Sequence, residues 1–135
     1  MPFERDEIEG PMDATQPSGD VRPRSRTVVS HPLTIKIGFD IEACLVRLEG
    51  ELDLESAPAL SRELDRLLAG DHRRVVIDLD GLEFADSAGL QCLLAAAALS
   101  RSDGDALRII EPEGQVSRLF EVTEAEGLLP LIPRT

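Results

Sequence analysis

The chain has no tryptophan, no tyrosine and only four phenylalanines in 135 residues. Its core must therefore be built from Leu, Ile, Val and Ala. Cysteine and histidine are equally scarce, with two of each. Cys44 and Cys92 stand in apolar surroundings without metal-ligand spacing, which predicts buried thiols rather than a zinc site or a disulfide. His31 and His72 lie far apart in sequence, so neither a metal centre nor a nucleophile–base pair is expected. A glycine-rich phosphate loop is also missing. Asp78, Asp80, Glu83 and Asp86 are acids of the kind that usually end strands as solvated or capping groups. The expectation is a protein that is not an enzyme and needs no cofactor or metal.

Positive charge is in short supply: 14 Lys and Arg against 26 Asp and Glu, a net charge of −12. Such a surface is repelled by nucleic-acid phosphates and anionic bilayers, so no nucleic-acid partner is expected. It suits a basic protein surface, or simply solubility. No apolar run reaches membrane-spanning length, and the N-terminus carries no apolar signal core. No membrane insertion and a cytoplasmic location are the expectation.

The length is that of one domain with room for a real core. Residues 1–32 read as a disordered tail: Pro2, Pro11, Pro17, Pro23 and Pro32 punctuate it, and neither helical nor strand periodicity is present. Residues 33–135 then alternate strand and helix patterns. Leu33, Ile35, Ile37 and Phe39 fall two apart, a short turn follows, and Cys44 to Glu49 reads as a second strand, so the two predict a hairpin. Gly50 to Asp53 reads as a loop, and Ser56 as the cap of a helix whose Ala57, Leu60, Leu64, Leu67 and Leu68 share a face opposite Glu55, Arg62, Glu63 and Arg66. Arg74 to Leu79 is a dense β-branched run of the kind buried in a sheet. Leu90, Leu93, Leu94, Ala97 and Ala98 mark a second helix, Leu107 to Ile110 a further strand, and Val116, Leu119 and Phe120 a third helix. A last edge strand within Leu128 to Ile132 has Pro130 and Pro133 against it. The order ββαβαβα predicts an α/β domain with a mixed, mostly parallel sheet and helices packed on it.

The chemistry is concentrated in Asp86-Ser87-Ala88-Gly89-Leu90, where a strand pattern passes into a helix pattern. Helix starts present N–H groups without intrahelical partners, and the macrodipole favours negative charge there. A phosphate on Ser87 is therefore tolerated locally and brings about −1.5 to −2 charges, which changes what can pack against it. The ordinary alternative is that Ser87 or Asp86 is a helix cap and Gly89 a close-packing residue. Local physics permits both.

That segment, following Val76-Ile77-Asp78-Leu79, resembles the signature of STAS domains, the sulfate transporter and anti-sigma factor antagonist group. A second segment, Leu48 to Asp53 followed by Ser56-Ala57-Pro58, is similar to that family's first loop and helix. The resemblance covers about residues 33–132. It implies that Ser87 is phosphorylated by a partner that is both an anti-sigma factor and a serine kinase, that the unphosphorylated form binds this partner and frees the sigma factor, and that a serine phosphatase restores binding. It further implies that Glu51 and Asp53 lie near Ser87 and share the partner-binding surface with Asp86, Ala88, Leu90 and Gln91. Ala88 departs from members with a second hydroxyl at this position, leaving Ser87 as the only hydroxyl in the motif. The same resemblance is compatible with a different role, an unphosphorylated STAS subunit of a lipid-type ABC transport assembly docking on its ATPase.

Overall fold

The computed structural model describes residues 25–70 and 74–134. The elements in chain order are strands β1 (Ser25–Ser30), β2 (Leu33–Phe39) and β3 (Cys44–Leu52), helix α1 (Ala57–Ala69), strand β4 (Val75–Ala85), helix α2 (Ser87–Ser102), strand β5 (Leu107–Ile110), helix α3 (Gly114–Val122), a 3-10 turn (Ala125–Gly127) and strand β6 (Leu131–Ile132). The six strands form one sheet in sequence order. The first two pairings are antiparallel and the last three parallel. The α/β architecture with a mixed sheet is as the sequence predicts.

Each parallel step from β3 to β6 advances in the same direction across the sheet. Right-handed crossovers therefore set α1, α2 and α3 on one face. Burial agrees with this: Leu33, Ile35, Ile37, Cys44, Val46, Leu48, Val75, Ile77, Leu107 and Ile109 form the core with Leu60 and Leu64 of α1, Leu93 of α2, and Val116 and Phe120 of α3. The opposite face carries charge. Lys36 Nζ lies 3.2 Å from Glu49, and Arg47 reaches Glu49 at 3.2 Å and Asp78 at 3.3 Å. Arg134 meets Asp78 at 3.1 Å and Asp80 at 3.8 Å.

Three expectations need correction. Ser25–Ser30, placed in the tail, is strand β1, paired along its whole length with β2 from Ser25↔Gly38 to Ser30↔Leu33. The domain thus begins before residue 33. The strand escapes a pattern search because only Val28 offers an apolar side chain to the core, while Arg26 on the same face reaches Glu63 Oε1 at 2.7 Å. That contact also explains why Glu63 is buried instead of decorating the outer face of α1. The remainder of the expected tail, residues 1–24, lies outside the described residues.

Second, Gly50 to Leu52 is strand and not loop: Gly50 pairs with Leu33 and Leu82, and the Glu51 N–H donates to the Pro32 carbonyl at 2.9 Å. Gly50 has φ +98°, and a Cβ there would collide with the Pro32 carbonyl oxygen. A side chain is excluded by space as well as by conformation. Third, β4 continues to Ala85. Two register shifts against β3, between Arg47 and Glu49 and between Gly50 and Glu51, break its alternation.

Both cysteines are free and buried. Burial pushes each thiol up to about 11, with Arg26 partly opposing this at Cys44 and Asp65 adding to it at Cys92. Among the described residues, no helix is long and apolar enough to cross a membrane.

Candidate functional site

The ends of β3 and β4 bring two loops together. Glu51 pairs with Phe84 and Leu52 with Ala85. The Asp86 N–H then donates to the Leu52 carbonyl at 3.1 Å. At that point the chain turns into α2. Asp86 is its cap: extended at φ −111°, ψ −173°, it accepts the Gly89 N–H on Oδ1 at 3.0 Å. Ser87 is the first residue of the helix, and its side chain is exposed. No hydrogen bond among the described residues engages the N–H groups of Ser87 and Ala88, so two donors remain for an anion at this end.

Gly89 is fixed by close packing. A Cβ there would stand 2.6 Å from Leu52 Cγ and 2.8 Å from the Leu52 carbonyl oxygen. The helix start can sit this close to β3 only without a side chain at residue 89.

The neighbouring loop is held by Asp53 and Ser56. Asp53 Oδ1 accepts the N–H groups of Glu55 at 3.0 Å and Ser56 at 3.1 Å. The Ser56 hydroxyl accepts the Asp53 N–H at 3.0 Å and lies 3.1 Å from the Glu51 carbonyl oxygen. Ser56 occupies the cap position of α1 without making the side-chain cap bond expected of it; its hydroxyl is used inside the loop. Asp53 is thus the residue that shapes the loop, and Glu51 beside it is exposed.

A third support comes from α3. β5 stops pairing with β4 at Asp78, so among the described residues the outer side of β4 has no strand neighbour from Leu79 to Ala85. Gln115 supplies one bond in each direction at the end. Its Oε1 accepts the Ala85 N–H at 2.9 Å, and its Nε2 donates to the Ala85 carbonyl at 3.0 Å. The side-chain amide takes the place of a strand backbone two residues before Ser87. Nothing in the sequence pattern singled out Gln115.

Of the predicted surface residues, Ser87, Glu51 and Gln91 are exposed, while Asp53, Asp86 and Ala88 are half-buried around them. Leu90 is a correction. It is only 4% exposed and belongs to the core, because it follows the cap on the inward side of α2. Two apolar side chains that the sequence reading missed are exposed at this end of the sheet: Leu54 in the loop at 74% and Phe84 on β4 at 40%. The bulges in β4 turn Phe84 outward, and an alternating pattern could not have revealed it.

The electrostatics are one-sided. Glu51, Asp53, Glu55, Glu83 and Asp86 surround the site in sequence, and residues 48–61 and 75–100 contain no Lys or Arg. A phosphate on Ser87 would find backbone donors but no guanidinium or ammonium from these segments.

Known proteins resemble this chain over most of the fold. The family model described as "Mlab, STAS domain" matches residues 35–132. The anti-sigma-B factor antagonist of Staphylococcus aureus is 29% identical over 85 residues, covering 62% of this chain and 78% of the relative. A crystal structure of an anti-sigma factor antagonist from Mycobacterium paratuberculosis superposes with a TM-score of 0.66 at 27% identity, over 78% of this chain and 92% of that one. The anti-sigma factor antagonist SpoIIAA in its unphosphorylated form shares the fold, with a TM-score of 0.63 at 17% identity over 75% and 88% of the two chains. With a family model spanning the sheet from β2 to β6 and both loops of the site, the chain belongs to the STAS domain family.

Proposed function

We propose that this protein is an anti-sigma factor antagonist that works in the cytoplasm by binding, not by catalysis. In its unphosphorylated form it binds an anti-sigma factor with serine kinase activity and so releases a sigma factor for transcription. Phosphorylation of Ser87 by that kinase ends the binding, and a serine phosphatase restores it. The observation that supports this reading is the exposed Ser87 hydroxyl at the start of α2, directly after the β4 end that pairs with Glu51 and Leu52 of β3. The surface that binds comprises Ser87, Ala88 and Gln91 of α2, with Glu51, Leu54 and Phe84 beside them, held in shape by Asp53 and Asp86. Apolar contacts of Leu54 and Phe84 would supply affinity. A dianion introduced among them must be desolvated to re-form the same contact, which is costly without a cation to meet it.

The test is to incubate the protein with its cognate kinase and ATP, then determine intact mass and map the peptides. One phosphate on Ser87, absent from Ser87→Ala, is expected. An unmodified Ser87, or a modification that persists in Ser87→Ala, would overturn the switch. Stoichiometric copurification with an ATP-binding transport subunit would support the transport role in its place.

A further inference from the structure

The two edges of the sheet are built differently. At one end β6 is two residues long and flanked by Pro130 and Pro133. Shortness and proline are both ways of keeping an edge from pairing with another chain. At the other end β1 runs for six residues in six consecutive pairs with β2, without a bulge. It contains no proline and no lysine. Its side chains on the open face are uncharged, and Val29 among them is 69% exposed. Among the described residues, none of the usual protections is present along this strand.

Charge singles out the same place. The molecule carries 26 acidic residues, yet residues 21–39 contain none. Of the four cations in that stretch, Arg26 is matched by Glu63 at 2.7 Å and Lys36 by Glu49 at 3.2 Å, while Arg22 and Arg24 lie outside the described residues. Two copies with a net charge of −12 each repel one another over most of their surfaces; at this edge they meet without opposed acids.

We propose that β1 is a self-pairing edge, through which a second copy of this chain extends the sheet antiparallel across a two-fold axis. Symmetry restricts the register. A two-fold axis perpendicular to the sheet keeps the helices of both copies on one face, so it passes through a residue and not between residues. An axis at Val28 sets Arg26 opposite Ser30 and Thr27 opposite Val29, which keeps the two Arg26 side chains well apart. An axis at Thr27 brings them diagonally close. Val28 is also the β1 side chain packed against the core, so pairing there joins the two cores. A single added strand is a small contact beside the roughly 1,200 Å² of a stable interface, so a weak dimer in the micromolar range or above is expected.

Sedimentation velocity of the full chain from about 5 to about 500 micromolar tests this range. The expected result is a shift from monomer to dimer with rising concentration. The double variant Thr27→Lys/Val29→Lys opposes lysines across the axis and is expected to remain monomeric with an unchanged unfolding midpoint. Mixed with Thr27→Glu/Val29→Glu, it is expected to dimerise again as a heterodimer. In oxidising buffer, Thr27→Cys mixed with Val29→Cys should cross-link faster than either variant with itself. A wild-type chain that stays monomeric throughout, or a dimer indifferent to the lysine pair, would overturn the proposal; faster self-linking of Thr27→Cys would overturn the register.

Discussion

At Ser87 the geometry is set by Asp86 and Gly89, whose contacts lie within the domain. Asp86 caps α2 through Gly89, and Gly89 lets the helix start lie against Leu52. Replacing Asp86 by Ala removes one cap bond and should lower stability by about 1 kcal/mol, readable as a reduced urea midpoint with the slope unchanged. Gly89→Ala should cost more, about 1–3 kcal/mol, because the added methyl meets a backbone carbonyl that cannot rotate away. It should also weaken partner binding, since relief of the clash moves Ser87. An unchanged urea midpoint for Gly89→Ala would contradict the close packing. The sequence made Ser87, Asp86 and Gly89 legible because helix starts obey local rules. The burial of Leu90 is not legible in the same way, because membership of a motif says nothing about which side of a helix faces inward.

At the scale of elements, the site is the meeting of two strand ends and one helix. β4 is clamped by Leu52 on one side and by the Gln115 amide on the other. Gln115→Ala removes both of its bonds and should destabilise the domain by about 1–2 kcal/mol. Gln115→Glu keeps the acceptor for the Ala85 N–H but sets a carboxylate against the Ala85 carbonyl, so it should not restore the loss. Hydrogen exchange at Ala85 checks the assignment: faster exchange in Gln115→Ala is expected, and unchanged protection would contradict the clamp. The regular elements α1, α2, β2 and β5 follow from periodicity alone. β4 does not, because its two bulges shift the inward set after Asp78 and hide both the strand's length and the exposure of Phe84. β1 is missed for another reason: its inward residues are Arg26 and Val28, and the role of Arg26 depends on Glu63, 37 residues away.

Across the whole molecule, the helix-free face of the sheet is tied by ion pairs that converge on Asp78, which is 9% exposed. Burial raises its carboxyl, but the Asp80 N–H, Arg134 and Arg47 outweigh this and hold it below the ordinary range. A depressed folded-state value means that Asp78 contributes its stability above the unfolded value of about 3.9, and loses it as pH falls through the folded value. The stability gap between wild type and Arg134→Met, from urea midpoints, should therefore be constant above about pH 5 and shrink below about pH 4. A gap that widens on acidification would contradict the pairing. The global charge of −12 was legible from composition, whereas its absence along the β1–β2 hairpin acquires meaning only once β1 is known to be an edge.

In the proposed function, the state of one hydroxyl decides whether the end of the sheet can bind its partner. The most direct measurement is the affinity of the cognate anti-sigma kinase for this protein before and after stoichiometric phosphorylation of Ser87, by titration calorimetry without free ATP. Burying an unmatched dianion in that contact should weaken binding by at least about 100-fold, or roughly 2.7 kcal/mol. Equal affinity of the two forms would contradict the account.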